Sequence, residues 1–203
     1  MTLSRFALLA AAFLIASPAY ARGRGASIRS VDFKNFTYPL PADLRTPGGP
    51  GNVRLKGGRF PGTDNEDEMY FGRVVYGDVT GDDAEEAMVY LGIHTRGSAM
   101  PGVVYVYTLR GRRPSLLWSF STGDRADGGL HRVYAENGGL VVEMYGPQRR
   151  WEGDGQVMRF TRRRYVWLGN RFRRKGRKEV VPLSTQSDDG MHPTTPFSAC
   201  PSR

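Results

Sequence analysis

The fold of this 203-residue chain is decided by residues 71–93, which read FGRVVYGDVTGDDAEEAMVYLGI. Two runs rich in β-branched and aromatic residues, 71–76 and 87–93, flank a segment of glycine and acidic residues. Such runs favour strands, and a Gly/Asp segment between them favours a turn. This stretch therefore predicts two antiparallel strands joined by an acidic turn.

Three further hairpins are predicted towards the C-terminus. Their strand-like runs are 103–109 with 116–120, 132–135 with 140–145, and 157–167 with 171–181. The middle pair is joined through Asn137-Gly138, a strong hairpin signal because both residues tolerate positive φ. Towards the N-terminus, the apolar pattern that begins at Ile28 and ends at Pro39-Leu40-Pro41 predicts a strand that docks on the sheet, followed by a loop.

An apolar period of 3.6 residues does not persist for three turns anywhere in the chain, so a helical bundle is excluded. The pattern predicts a mostly β, antiparallel, hairpin-rich protein. We expect either a sandwich or a strongly curved, partly closed sheet, in a single domain over residues 26–181.

The two ends of the chain differ from the domain between them. Residues 1–21 have the features of a secretory signal peptide: Arg5 at the start, an apolar run over 6–16, and Ala19-Tyr20-Ala21 as a cleavage site. Eleven apolar residues fall short of the roughly 20 that span a bilayer. We therefore expect a periplasmic or secreted protein without a transmembrane segment after signal removal. Residues 182–203 are polar and predict a disordered tail.

The acidic turn carries oxygen ligands at alternate positions. These are the side chains of Asp78, Thr80, Asp82 and Glu86 and the main-chain carbonyl of Ala84. Hard cations such as Ca²⁺ take six or more oxygen ligands, so this spacing predicts a calcium site. The alternative is an ordinary hairpin turn in which Asp78 or Asp82 caps backbone N–H groups.

The segment Phe71-Gly72 followed by 77–82 and Glu86 resembles the calcium loop of FG-GAP and VCBS repeats. In those families the loop joins two strands of a propeller blade, and the resemblance implies a role in adhesion, recognition or scaffolding. Thr80 stands where the families usually have Asp or Asn, and Asp83 where they usually have Gly, so we expect weak binding.

Over a wider span the chain is similar to a group of small secreted bacterial proteins without an assigned activity. The similarity rests on four stretches: 31–39, 76–82, 104–109 and 123–129. It implies a fold and a compartment, not a reaction.

Charge is segregated along the chain, whose formal net charge is +9. Residues 64–86 contain nine acidic residues and one basic residue, whereas residues 149–178 contain twelve basic residues and two acidic ones. The basic side chains on the last predicted hairpin include Arg162, Arg163, Arg164, Arg173, Arg174 and Lys175.

Interleaved aromatic residues would make this hairpin a ribbon that attracts anionic polymers. Because export argues against a genomic nucleic-acid target, the candidate partners are lipopolysaccharide, anionic lipid headgroups, teichoic acid or an acidic protein. The alternative is that these arginines are ordinary surface cations, some of them paired with the acidic turn.

Catalytic signals are sparse. Asp124, Asp127 and His131 form an Asp-x-x-Asp-x-x-x-His cluster that would suit a metal or a proton-transfer pair. A wide polar turn capped by its Asp residues explains the same pattern. The chain has no nucleophile elbow and no phosphate-binding glycine motif. We therefore predict a monomeric, non-enzymatic binding or structural module, with an enzyme using these three residues as the alternative.

Overall fold

The computed structural model describes residues 26–45, 51–62, 67–95, 101–123, 129–145, 150–152, 155–157 and 159–182. Three 3-10 turns lie near the N-terminus: Ile28–Ser30, Phe33–Asn35 and Ala42–Leu44. The strands are β1 (Thr37–Pro39), β2 (Asn52–Arg54), β3 (Arg59–Phe60), β4 (Glu68–Gly77), β5 (Glu86–His94), β6 (Gly102–Arg110), β7 (Arg113–Ser121), β8 (Leu130–Glu136), β9 (Gly139–Tyr145), β10 (Arg150–Glu152), β11 (Gly155–Val157), β12 (Arg159–Trp167) and β13 (Phe172–Pro182).

The strands form two main antiparallel sheets. The five-stranded sheet has the order β3-β4-β5-β6-β7, and the four-stranded sheet has the order β13-β12-β9-β8. The predicted mostly β, antiparallel fold is confirmed, and so are the four hairpins β4–β5, β6–β7, β8–β9 and β12–β13. The predicted signal peptide, and the predicted tail beyond Pro182, lie outside the described residues.

The two sheets pack face to face around a shared apolar core, so the fold is sandwich-like. Its fully or nearly fully buried side chains are Val79, Met88, Val104, Val106, Val133, Leu140 and Val142. Strands β4 and β8 approach closely at Gly77, where a Cβ atom would lie 2.6 Å from the Cβ of Ala135. A side chain at that position would push the sheets apart.

The opposite face of the five-stranded sheet is covered by the N-terminal arm, which we define as residues 26–45 and 51–55. The arm contributes Ile28, Phe33, Tyr38, Leu40, Val53 and Leu55 to a second core. Tyr38 is fully buried and packs edge-on against Phe36 and at a tilt against Tyr105. Its hydroxyl donates to the carbonyl of Phe33 at 2.6 Å.

The N-terminal arm docks as predicted, but only Thr37–Pro39 of the predicted strand forms, as β1. Ile28–Ser30 and Phe33–Asn35 form 3-10 turns, each begun by a side chain that caps a backbone N–H. Ser27 accepts from the N–H of Arg29, and Asp32 accepts from the N–H of Lys34. Local capping by Ser and Asp competes with strand pairing, which explains the difference.

The described part of the chain contains no helix that is long and apolar enough to cross a membrane.

Truncating the N-terminal arm's core should destabilise the whole domain. Leu55 is fully buried, whereas Leu168, between β12 and β13, is 49% exposed. We expect Leu55→Ala to lower the free energy of unfolding by about 2–5 kcal/mol, the usual range for a buried leucine. The matched variant Leu168→Ala should change it by less than about 0.5 kcal/mol. Urea unfolding measures both. Equal, small effects would show that the arm is not part of the cooperative core.

Candidate metal site

The acidic turn, residues 78–85, joins β4 to β5 at the edge of the sandwich. Gly77 pairs with Glu86, so the last residue of one strand faces the first of the next. Gly81 and Asp83 both have positive φ, +78° and +66°. Asp is among the few residues besides Gly that tolerate this region, so the turn forms without a glycine at Asp83.

Val79 fixes the acidic turn to the protein. Its side chain is fully buried in the core between the two sheets, and its neighbours Asp78 and Thr80 are only half-buried. At the tip of the turn, Gly81 packs on the β8–β9 turn, where a Cβ at Gly138 would lie 3.1 Å from the Cα of Gly81. The turn is therefore held against both sheets.

The carboxylate of Asp78 organises the turn. One oxygen accepts from the N–H groups of Thr80 and Gly81 at 3.0 and 2.6 Å, and the other accepts from Asp83 at 3.1 Å. Asp82 accepts from the N–H of Ala84 at 3.0 Å. These are the capping bonds of an Asx turn, so the capping alternative describes real contacts. Each carboxylate still keeps a lone pair for another ligand, since it offers about four acceptor sites.

Glu86 is fully buried. Its carboxylate accepts from the N–H of Val79 and from the hydroxyl of Thr108 on β6, both at 3.0 Å. Burial raises the pKa of Glu86, and the nearby carboxylates of Asp82 and Asp78 raise it further, against the lowering effect of the two hydrogen bonds. The Glu86 side chain is therefore buried in a low-dielectric environment next to two other carboxylates.

Three carboxylates converge at this point. One ligand oxygen from each of Asp78, Asp82 and Glu86 lies within 4.8 Å of the other two, so this group could hold a metal ion. The hydroxyl oxygen of Thr80 is buried and, among the described residues, has no hydrogen-bond partner. Buried hydroxyls without partners are uncommon, and this one belongs to the predicted ligand set.

Of the five predicted ligands, the structure therefore brings three carboxylates together. Ala84 is exposed and lies in the same turn, where its N–H donates a hydrogen bond to the Asp82 carboxylate. Glu85, which the sequence did not place in the set, points elsewhere: it makes two 2.6 Å bonds with Arg29 of the N-terminal arm.

A second buried glutamate provides an internal comparison. Glu143 on β9 is also fully buried, but Arg132 and Arg162 donate to it at 3.0 and 2.7 Å, and Tyr134 donates at 3.1 Å. Burial raises its pKa, but the hydrogen bonds and charges of the two arginines outweigh burial, and the pKa falls below its usual value. Glu143 has cationic partners, whereas Glu86 has carboxylate neighbours.

Glu143 is not among the functional residues predicted from the sequence. A signal was present, because it is the one charged residue within the apolar run LVVEMY at 140–145. Nothing local predicts its partners, which come from the neighbouring strands β8 and β12.

The predicted basic ribbon divides into two groups. Arg162 and Arg164 are engaged in ion pairs: Arg162 with Glu143, and Arg164 with Glu136 at 2.9 Å and with Glu179. These partners lie on the sheet itself and not in the acidic turn.

The second group is exposed and consists of Arg163, Arg173, Arg174 and Lys175. None of these four forms an ion pair within the described part of the chain. Neighbouring residues of a strand face opposite sides, so Arg174 lies on one face of β13 and Arg173 and Lys175 on the other. The ribbon is therefore basic on both faces.

Of the three residues predicted for the catalytic alternative, the structure describes His131. Asp124 and Asp127 lie outside the described residues. His131 is 2% exposed, its ring packs on Tyr145 and Phe160, and its Nε2 lies 3.8 Å from Glu143. It also lines a cavity between the sheets.

Comparison with protein-family models, with curated proteins and with solved structures gives no match to this chain.

The two buried glutamates should respond to neutralisation in opposite directions. In chelator at pH 7, Glu86→Gln should stabilise the protein, because it removes a buried charge. The amide oxygen still accepts from the N–H of Val79, and the amide nitrogen donates to the hydroxyl of Thr108. Glu143→Gln should lower the free energy of unfolding by on the order of 3 kcal/mol, because it removes the buried negative charge that accepts from the guanidinium groups of Arg132 and Arg162.

At low pH, the differences in the free energy of unfolding between each of these variants and the wild-type protein should disappear. A raised pKa makes the Glu86 carboxylate destabilising as pH rises above the unfolded value of about 4.3, so the gain of Glu86→Gln grows with pH. A lowered pKa makes Glu143 stabilising above that value, and its contribution fades as pH falls through its folded pKa. Unfolding curves from pH 3 to 8 measure both. Parallel profiles for the two variants would contradict this assignment.

Proposed function

We propose that this protein is an exported, non-enzymatic binding or structural domain in which a Ca²⁺ ion braces the acidic turn. The observation that carries the proposal is the convergence of Asp78, Asp82 and Glu86, with ligand oxygens within 4.8 Å of one another. The signal-like residues 1–21 and the resemblance to FG-GAP and VCBS loops support export and calcium respectively.

Calcium suits this donor set better than the other common metals. All the candidate ligands are oxygens, and Ca²⁺ takes six to eight of them at about 2.3–2.6 Å in flexible geometry. Zinc prefers nitrogen and sulfur ligands, which the turn lacks. The hydroxyl of Thr80 and the carbonyl of Ala84 would complete the protein ligands, with water filling the remainder. A divalent ion would also supply the positive charge that Glu86 does not receive from a side chain.

The ion would act on structure and not on a substrate. The acidic turn touches the core between the sheets through Val79, the β8–β9 turn through Gly81, and the N-terminal arm through Glu85. A cation here would fix the corner at which all three layers meet. The affinity for Ca²⁺ should be weak, because the carboxylates of Asp78 and Glu86 already accept hydrogen bonds from backbone N–H groups and from the Thr108 hydroxyl.

Calcium should raise the thermal midpoint of the protein. At 5 mM Ca²⁺ and the dissociation constants of about 10⁻⁴–10⁻³ M found in extracellular modules, binding adds about 1–2 kcal/mol. For a domain of this size that corresponds to a rise of roughly 2–8 °C over the chelated protein. Scanning calorimetry with Ca²⁺ and with chelator measures it, and Mg²⁺ should give a smaller shift.

The chain offers a matched pair of variants for this test. Asp82→Asn removes a carboxylate of the cluster, whereas Asp83→Asn makes the same change one residue later, outside the cluster and at a positive φ that Asn tolerates. The calcium shift should disappear in the first and persist in the second. Equal shifts in both variants, or none in the wild-type protein, would overturn the calcium proposal.

A second candidate function is binding to an anionic surface through β13. Strand β13 is an edge strand, and its residues 173–178 are exposed, with five cations among them. A charged edge also discourages pairing with other strands, so these cations have a structural role in any case. Their exposure on both faces favours contact with lipid headgroups or an anionic polymer in the cell envelope.

Replacing three of these cations should weaken binding to anionic membranes. For vesicles containing phosphatidylglycerol, we expect the combined variant Arg173→Gln, Arg174→Gln and Lys175→Gln to bind roughly a hundredfold more weakly, at about 1 kcal/mol per cation. Binding of the wild-type protein should also fall steeply with added salt.

The matched control removes the same charge elsewhere on the surface, at Arg54, Lys56 and Arg59, which are all exposed. Vesicle co-sedimentation measures both triple variants. A similar loss in the two would show that only net charge matters, and salt-independent binding would remove this candidate.

A further inference from the structure

A cavity of about 70 Å³ lies between the two sheets where β4 meets β8. It is lined by Arg73 and Val75 of β4, Tyr90 of β5 and residues 130–133 of β8. It is separate from the acidic turn, and none of its lining residues belongs to the calcium proposal. A single water needs about 15 Å³ of such space, so the cavity holds more than one water. It is well below the roughly 300 Å³ of sites for larger organic ligands.

Strand irregularities build this cavity. In a regular strand consecutive side chains face opposite sides, yet four consecutive residues of β8 line the same space. The register shift between Leu130 and Arg132 explains this, because it leaves His131 as an extra residue. A second shift, between Phe71 and Arg73 of β4, lies directly before the lining residue Arg73. Bulges of this kind re-aim side chains and are frequent beside functional sites.

Two glycines determine the position of Tyr90. A Cβ at Gly72 would lie 2.5 Å from the Tyr90 ring, and a Cβ at Gly102 would lie 2.4 Å from it. These glycines belong to β4 and β6, the strands on either side of β5. The ring therefore lies along the sheet surface, where a side chain at either position would displace it, and it forms one apolar wall of the cavity.

Two arginines line the cavity, and Arg132 is the one that has a carboxylate partner within the described residues. Arg73 is half-buried and forms no ion pair within the described residues. Burial raises the pKa values of Tyr90 and Tyr145, and the positive charge of Arg73 acts in the opposite direction on both. Arg132 adds a second guanidinium at the wall, with its Nε donating to Glu143.

A half-buried guanidinium without a counterion is unfavourable, because the charge is partly removed from water and not compensated. Its planar set of five N–H donors matches the geometry of carboxylate and phosphate oxygens. A small oxyanion would satisfy both the charge and the donors, and its size fits the cavity.

We propose that the cavity between β4, β5 and β8 binds a small oxyanion, a carboxylate or phosphate group, through the guanidinium of Arg73. The apolar walls Val75, Leu130 and Val133 exclude water from the bound group, which strengthens the interaction with Arg73. The aromatic face of Tyr90 leaves room for a small group only.

Titration of the full chain with sodium phosphate and with sodium acetate tests this site, with sodium chloride keeping the ionic strength constant. Isothermal calorimetry should detect saturable binding of at least one of the two anions. Binding of phosphate alone identifies a phosphate ligand, binding of acetate alone a carboxylate ligand, and binding of both a general oxyanion site. Each of these outcomes supports the proposal, and binding of neither overturns it.

Arg73→Gln should weaken binding at least tenfold, whereas Arg54→Gln, which removes an exposed cation from β2, should leave it unchanged. Should Arg73→Gln fail to fold, Arg73→Lys replaces it. Lysine keeps the charge but loses the two-pronged donor geometry, and we expect at least fivefold weaker binding. Unchanged affinity in the folded Arg73 variant, or equal losses at Arg73 and Arg54, would overturn the assignment. The calcium proposal survives either result, because its ligands lie elsewhere.

Discussion

The structure depends on burying both faces of the five-stranded sheet. Its central strands β5 and β6 are apolar almost throughout, with side chains directed alternately to either side. One face is covered by the four-stranded sheet and the other by the N-terminal arm. A sheet covered on one face only would expose Leu91 and Tyr105 or, on the other side, Met88 and Val106. Both covering layers are therefore required for a stable domain.

The buried charges are divided between the two sheets. Each sheet buries one glutamate completely: Glu86 in the five-stranded sheet and Glu143 in the four-stranded sheet. Glu143 is neutralised by arginines from adjacent strands, which makes an ion-pair network across β8, β9, β12 and β13. Glu86 has two hydrogen bonds and two acidic neighbours. This contrast makes the acidic turn the place in the described structure that is best suited to a cation.

Much of the fold followed from local sequence. Alternating strand-like runs with Gly, Asn and Asp between them predicted four hairpins, and all four formed, because hairpin turns depend on residues that are adjacent in sequence. The three carboxylates of Asp78, Asp82 and Glu86 are also close together in sequence, so their convergence could be predicted from the one turn that joins β4 to β5. The strand predicted from Ile28 to Pro39 formed only at Thr37–Pro39, because the caps at Ser27 and Asp32 outweighed the apolar pattern before it.

The sequence by itself determined the four hairpins, their turns and the acidic cluster, since these depend on residues that are close to one another along the chain. Only the tertiary structure decided which charges are neutralised. Arg162 and Arg164 could not be separated from Arg163 or Arg174 by composition, because their carboxylate partners come from strands far away in sequence. The same holds for the cavity beside Arg73. It exists because two bulged strands from different sheets meet there, and strand register across a sandwich is set by packing and not by any single segment.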